Sequence, residues 1–231
     1  MTAKIITVFN QKGGCAKTMT SIQLAGTFGS RGLNVFLIDM DPQNTSALWA
    51  LNADPDTPFP ATVMSFAPLK EHFVEKVPAI AEKNDLIIID CPPSLDSQVP
   101  WAALTMLADF AIIPVMPVLD NVWASRQAED LLIKARQSRA AKGFPDLPGA
   151  FLLSAVKRGK VYETCAEELR KKAELPILNS SIGNLNAFPE SQVYGCVVGS
   201  FGKSSAAKQI DALVDELARL MKLSFPKKAR K

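Results

Sequence analysis

Chemistry in this sequence concentrates at Lys12, Gly13, Gly14, Lys17 and Thr18. Two lysines enclose a pair of glycines, and a hydroxyl follows the second lysine. Such a segment suits a polyphosphate. Successive backbone N–H groups around Gly13 and Gly14 form a concave anion nest, and a helix opening at Lys17 adds the positive end of its dipole. Lys17 supplies a point charge for β- and γ-phosphates, and the Thr18 hydroxyl a ligand for Mg²⁺. The nucleotide-binding set read from this stretch is Lys12, Gly13, Gly14, Cys15, Ala16, Lys17, Thr18 and Met19. Three carboxylates complete the inventory: Asp39 and Asp41 in D-M-D-P-Q, and Asp90 at the end of D-L-I-I-I-D. Four apolar residues ending in Asp90 have the form of an acid that reaches Mg²⁺ through its water. Asp39 joins Thr18 and Asp90 as a metal-side candidate.

These residues need a scaffold that brings them to one edge. Ile5, Ile6, Thr7, Val8 and Phe9 form a β-branched, apolar run that reads as a buried parallel strand. It breaks at residues 10–16, before a helix with Ile22, Leu24 and Ala25 on its apolar side. Residues 35–38 read as a second buried strand delivering Asp39 and Asp41, and residues 85–90 as a third delivering Asp90. Carboxylates at the C-terminal ends of parallel strands face the ligand crevice of an open α/β sheet. The Asp39–Asp41 pair can also serve as a simple helix cap. Further along, the pattern predicts a short strand or turn near residues 62–64 and a surface helix over 70–83 interrupted near Pro78. A helix over 97–108, a strand over 110–115 and a long helix over 121–141 follow. The last third reads as a strand over 150–156, a helix over 161–173, a short strand over 175–178 and a final helix over 203–223. Ile210, Leu213, Val214, Leu217, Leu220 and Met221 form a stripe on that helix that should dock on the sheet. The fold class is therefore α/β, a doubly wound and mostly parallel sheet with helices on both faces. One domain is expected over 1–231, with a mobile basic tail at 225–231.

The loop does not meet the general pattern G-x-x-x-x-G-K-[ST], because Gln11 and Ala16 stand where its glycines fall. It matches the variant K-G-G-x-x-K-[ST]. With D-M-D-P-Q at 39–43 and D-C-P-P at 90–93, the chain resembles the ParA/MinD group of P-loop ATPases, most of all the short plasmid-partition members. The resemblance spans nearly the whole chain and is specific in those three motifs. It implies a P-loop NTPase fold, ATP and Mg²⁺ as cofactors, and hydrolysis of ATP. It implies catalytic roles for Asp41, which orients the attacking water, and for Lys12. Lys12 stands at the outer start of a loop already served by Lys17, so it is best used in trans on a partner's phosphates, as an arginine finger is. The implied partners are a second copy of the chain joined on ATP, non-specific DNA, and a ParB-like or cargo-adaptor protein that stimulates hydrolysis. A membrane-cycling, MinD-like protein is the alternative. Two departures stand out. The family usually has Gly at the position of Ala16; Ala fits if that residue needs only φ < 0, and otherwise nucleotide affinity falls. Relatives also carry an Arg near Asn184, in the stretch 179–202 that resembles the family's adenine-side loop.

Composition narrows the reading further. The chain has 231 residues, 48% of them hydrophobic, and a net charge of +3, which excludes a whole-protein basic field. DNA contact is therefore expected from a local patch, Lys203 and Lys208 with Lys227, Lys228, Arg230 and Lys231. Lys157, Arg158 and Lys160 could face nucleotide, DNA or only solvent. Cys15, Cys91, Cys165 and Cys196 lack C-x-x-C spacing and read as free thiols in a reducing cytosol. His72 is the only histidine and has no metal partners in sequence. The start of the chain is too short and polar-flanked for a signal peptide, and no run of 18 apolar residues exists. A cytoplasmic, nucleoid-associated protein without a stable membrane anchor is expected.

Overall fold

The computed structural model describes residues 3–94 and 97–226. Seven strands form one sheet in the order β3-β2-β4-β1-β5-β6-β7, and every neighbouring pair is parallel. The strands are β1 (Lys4–Val8), β2 (Val35–Asp39), β3 (Thr62–Ser65), β4 (Leu86–Asp90), β5 (Phe110–Val115), β6 (Gly149–Val156) and β7 (Ile177–Gly183). The helices between them are α1 (Lys17–Ser30), α2 (Thr45–Leu51), α3 (Val77–Ala81), α4 (Gln98–Ala102), α5 (Leu119–Ala141), α6 (Lys160–Lys172), α7 (Ala187–Val193) and α8 (Ser205–Met221). The inner strands are apolar on both sides, so successive residues feed two cores. Ile6, Val8, Leu37, Ile88 and Ile112 pack under α1, α2, α7 and α8. Ile5, Phe9, Ile38, Ile87, Ile89 and Ile113 pack under α3 to α6.

Register positions the site. Val8 pairs with Asp90 and Asp90 with Asp39, so three adjacent strands end side by side. β1 lies between β4 and β5, where the strand order reverses, and the loop leaving it opens into the crevice that this reversal creates. Glycine lets the covering loop approach α1. A Cβ on Gly29 would stand 1.7 Å from the Pro60 carbonyl oxygen.

The structure corrects several expectations. Pro78 does not interrupt a helix. It opens α3, where its missing N–H costs nothing, and residues 67–75 form a separate 3₁₀ segment kinked at Lys70. The helix expected over 97–108 tightens differently: α4 passes into a π turn over Ala103–Leu107, and Arg139 donates to the Leu104 carbonyl there. β7 runs through Gly183, beyond the strand expected over 175–178 and into the stretch assigned to a loop. Leu220 sits at the margin of the α8 stripe and is 52% exposed, while the other five residues are buried. The tail is not free from residue 225. Phe225 stacks on Phe28 under the Arg31 guanidinium, and Pro226 lies against Gly32. Lys227, Lys228, Arg230 and Lys231 lie outside the described residues.

Candidate functional site

The loop between β1 and α1 is pinned from three sides. Asn10 is buried; its amide donates to the Pro114 carbonyl at 2.8 Å, and its Oδ1 accepts from the Lys12 N–H. Gln11 donates to the Ala124 carbonyl on α5, and Ser154 on β6 donates to the Cys15 carbonyl at 2.8 Å. Between these anchors the N–H groups of Gly13, Gly14, Cys15 and Ala16 meet no acceptor among the described residues. Gly14 and Ala16 both have positive φ, 74° and 70°, and Ala16 is the N-cap of α1. Alternation of αR and αL residues turns successive N–H groups toward one point. Ala16 thus takes the left-handed conformation that glycine accepts freely and alanine does not.

Lys17 and Lys12 behave differently. Lys17 is buried, and its Nζ donates to the Lys12 carbonyl at 3.1 Å, so its charge is folded inside the loop. The Lys12 side chain is exposed at the outer rim. The Cys15 thiol is buried beside Lys17. Burial pushes its pKa up, with the Lys17 charge opposing, which leaves a neutral thiol that donates to the Lys12 carbonyl. Thr18 and Met19, at the start of α1, are half-buried.

The carboxylates form a second layer beneath the loop. Asp90 is fully buried, and its two oxygens accept from Ser21 Oγ at 3.2 Å and Ser46 Oγ at 2.9 Å. Burial first, and then the charge of Asp39, push its pKa up to about 7, while the Ser46 and Thr18 hydroxyls pull it back. Asp39 is also buried and raised by burial; its oxygens accept from the N–H groups of Asp41 and Ala47, both at 3.1 Å. Asp41 is half-buried and caps its own turn, accepting from the Gln43 N–H. So Asp39 shapes the loop over residues 39–47, and Asp90 faces it through Ser46.

These residues fit a magnesium nucleotide. The free N–H cradle suits phosphate oxygens. A buried carboxylate that pairs with hydroxyls and with no cation among the described residues suits a metal-bound water. Sequence reasoning named the loop residues and the carboxylates that the structure brings to one end of the sheet. It missed Asn10, Ser21, Ser46 and Ser154, single polar residues whose roles depend on contacts 44 to 139 residues away. Lys203 lies just before α8 and Lys208 in its first turn, both exposed. A recess of about 600 Å³ opens nearby, lined by Lys157, Arg158, Asn184, Ser205 and Gln209 among others.

A phosphate loop at the reversal of a parallel sheet, backed by strand-end carboxylates, defines a P-loop nucleotide-binding protein. Residues 6–225 match the CobQ/CobB/MinD/ParA nucleotide binding domain, and the chain belongs to that family. Among curated relatives, it is 27% identical over 216 residues to the maintenance of carboxysome distribution protein A of Halothiobacillus neapolitanus, covering 92% of this chain and 95% of that protein. Among solved structures, it resembles cobyrinic acid a,c-diamide synthase from Mycobacterium smegmatis with bound ATP analog and magnesium. That likeness has a TM-score of 0.78 at 23% identity over 99% of this chain and 100% of the other. The cell division ATPase MinD of Pyrococcus furiosus gives a TM-score of 0.74 at 21% identity, over 94% and 99% of the two chains. The structural likenesses show the shared fold.

Proposed function

We propose that this protein is a positioning ATPase of the ParA type, which dimerises on ATP, sits on non-specific DNA and hydrolyses ATP when a partner protein stimulates it. The observation that carries the reading is the division of labour between the two lysines. Lys17 is folded into its own loop, while Lys12 stands exposed at the rim, where a second copy's phosphates can reach it. In this reading Gly13–Met19 cradle the phosphates, and Thr18 holds Mg²⁺ with Asp90, through water, and with Asp39 behind. When bound, Mg²⁺ neutralises phosphate charge. Asp41 orients the attacking water, and Lys12 completes the partner's site. The full-length relative named for carboxysome distribution supports a cargo-positioning role, so the cargo can be a protein body as readily as a plasmid.

The DNA surface divides in two. α8 has 17 residues. At about 1.5 Å rise per residue it is roughly 25 Å long, with Lys203 before its first turn and Lys208 within that turn, at the end opposite the tail. The group beside Lys157 and Arg158 lies at the same sheet edge as the phosphate loop, which favours it for ATP-linked binding. One such group should bind duplex only weakly, while two copies on one dimer gain through effective concentration. The membrane-cycling alternative draws no support from α8, whose apolar stripe is buried except at Leu220, or from Phe225, which is packed on Phe28. No described helix is long and apolar enough to cross a membrane.

The experiment measures dimer mass by light scattering and binding to random duplex, each with ATP and with ADP. Wild type should dimerise and bind DNA with ATP only. Lys12→Ala should keep nucleotide binding and lose ATP-linked dimerisation, and Asp41→Ala should dimerise but hydrolyse slowly. Lys203→Gln with Lys208→Gln should flatten the salt dependence of DNA binding without changing dimer mass. A Lys12→Ala protein that dimerises like wild type removes the trans-lysine role, and equal DNA binding with ADP and ATP removes the switch.

A further inference from the structure

We propose that Ser46 is a positioning residue that fastens helix α2 to the strand-end carboxylate Asp90, so that the seat of α2 follows the state of the nucleotide site. The proposal rests on the reading that Asp90 serves a magnesium nucleotide.

Three polar ties hold α2. Ser46 Oγ donates to Asp90 Oδ2 at 2.9 Å, the Ala47 N–H donates to Asp39 Oδ2 at 3.1 Å, and the Trp49 indole N–H donates to the Cys196 carbonyl at 3.0 Å. Only Ser46 and Trp49 of its seven residues are buried, while Leu48 and Leu51 are 56% and 79% exposed. Seven residues form no stable helix alone, so the seat of α2 depends on these ties. Two of them end on the carboxylates that lie beneath the phosphate loop.

Asp90 is wholly buried, its second oxygen is held by Ser21 of α1, and Ser21 stands four residues after Lys17. A cation or its water drawn to this carboxylate takes up the lone pairs the two serines leave open and draws charge from the oxygen that Ser46 holds, which weakens the Ser46 hydrogen bond. When that contact weakens, the first turn of α2 is released from the site and Trp49 transmits the shift to residue 196. The α2 end also abuts Gly195: a Cβ there would meet the Ala53 nitrogen at 2.1 Å. Beyond it stand Val193, Tyr194 and Phe201, all exposed, with the Tyr194 and Phe201 rings 6.1 Å apart. Ser46 thus links the chemistry of the site to an apolar surface on the α2/α7 face.

Trp49 is the reporter. In a Trp101→Phe, Trp123→Phe background its emission is read while nucleotide binding is followed independently by calorimetry, using a slowly hydrolysed ATP analogue with Mg²⁺ or with EDTA. The proposal expects a Mg²⁺-dependent change in Trp49 emission in the Ser46 protein. It expects that change to fall at least twofold in Ser46→Ala and to return in Ser46→Thr, with nucleotide still bound in all three. Hydrogen exchange over residues 45–52, measured on the unsubstituted protein, should differ between the Mg²⁺ and EDTA complexes. A full Trp49 response in Ser46→Ala, or nucleotide binding with neither an emission nor an exchange change in α2, overturns the coupling. Absence of nucleotide binding in the unsubstituted protein instead sinks the functional reading on which it rests.

Discussion

Replacing Ala16 by glycine tests the phosphate loop at its most constrained point. Ala16 sits at φ 70°, ψ 29°, beside a cradle whose N–H groups are free of acceptors. A left-handed L-residue costs about 1–2 kcal/mol. Glycine removes that cost but loses about 0.5–1 kcal/mol more backbone entropy on ordering. Central values of about 1.5 and about 0.75 kcal/mol leave a net gain of about 0.75 kcal/mol for the left-handed loop. If nucleotide requires the left-handed geometry, apparent affinity scales with the fraction of free chains that hold it. Where the left-handed form is the minor one in the nucleotide-free chain, relief of about 0.75 kcal/mol tightens binding about three- to fourfold. The assay is stopped-flow binding of a fluorescent ATP analogue, with release rates measured by displacement. Lys222 offers the control. It is the C-cap of α8 at φ 56°, so Lys222→Gly relieves similar strain far from the loop. That variant should raise thermal stability and leave nucleotide affinity unchanged. An Ala16→Gly protein with wild-type affinity and release, or with weaker binding, refutes the argument that this methyl group limits the loop.

Other outcomes follow from the same geometry. Lys17→Ala should lose a charge-assisted contact of about 2–5 kcal/mol, at least tens-fold in ATP affinity by calorimetry. Gly29→Ala should lower chemical-denaturation stability by about 3 kcal/mol or more, because its Cβ meets backbone rather than a movable side chain. Glu216 is buried and accepts from the Asn179 and Ser180 N–H groups at 2.8 Å and from the Asn179 amide at 3.0 Å. Burial raises its pKa, but these donors outweigh burial and hold it below the usual glutamate value. A depressed folded pKa contributes stability that is present above the unfolded value and lost as pH falls through the folded one. Glu216→Gln should therefore destabilise by about 1–3 kcal/mol at pH 7, with the gap to wild type closing below about pH 4, as urea titrations at several pH values will show.

Much of this was legible in the residues. β5 is legible at residues 110–115, where it lies, because a strand buried on both faces shows as an unbroken apolar run bounded by turns. The phosphate loop was legible because glycines and a Lys-Thr pair must be neighbours in sequence to act together. β7 was read short because it is an edge strand. Leu178 and Ile182 are buried, but Asn179 and Ser181 face solvent, and the polar letters resemble a loop. Pro78 looked like a break because periodicity cannot distinguish a first-turn proline from an interior one. The sequence alone leaves the backbone sign at Ala16 open, and in the structure it is positive. Ser21 and Ser46 carried no signal at all, since a serine in a helix is ordinary until the fold sets a buried carboxylate against it.

The docking of Phe225 and Pro226 gives the molecule a polarity. They rest on Phe28, Arg31 and Gly32, where α1 ends and the chain turns toward the start of β2. That edge is the opposite one from the phosphate loop. Residue 226 itself lies at the far pole, so a dye or spin label at that position stands clear of the nucleotide. If two copies meet loop to loop, their labels lie at the outer extremes of the pair, separated by two full strand-plus-loop lengths. A pair joined through the α2/α7 face would hold them at a different separation. One distance measured between labels therefore reports which way round two copies meet, without any assay of turnover.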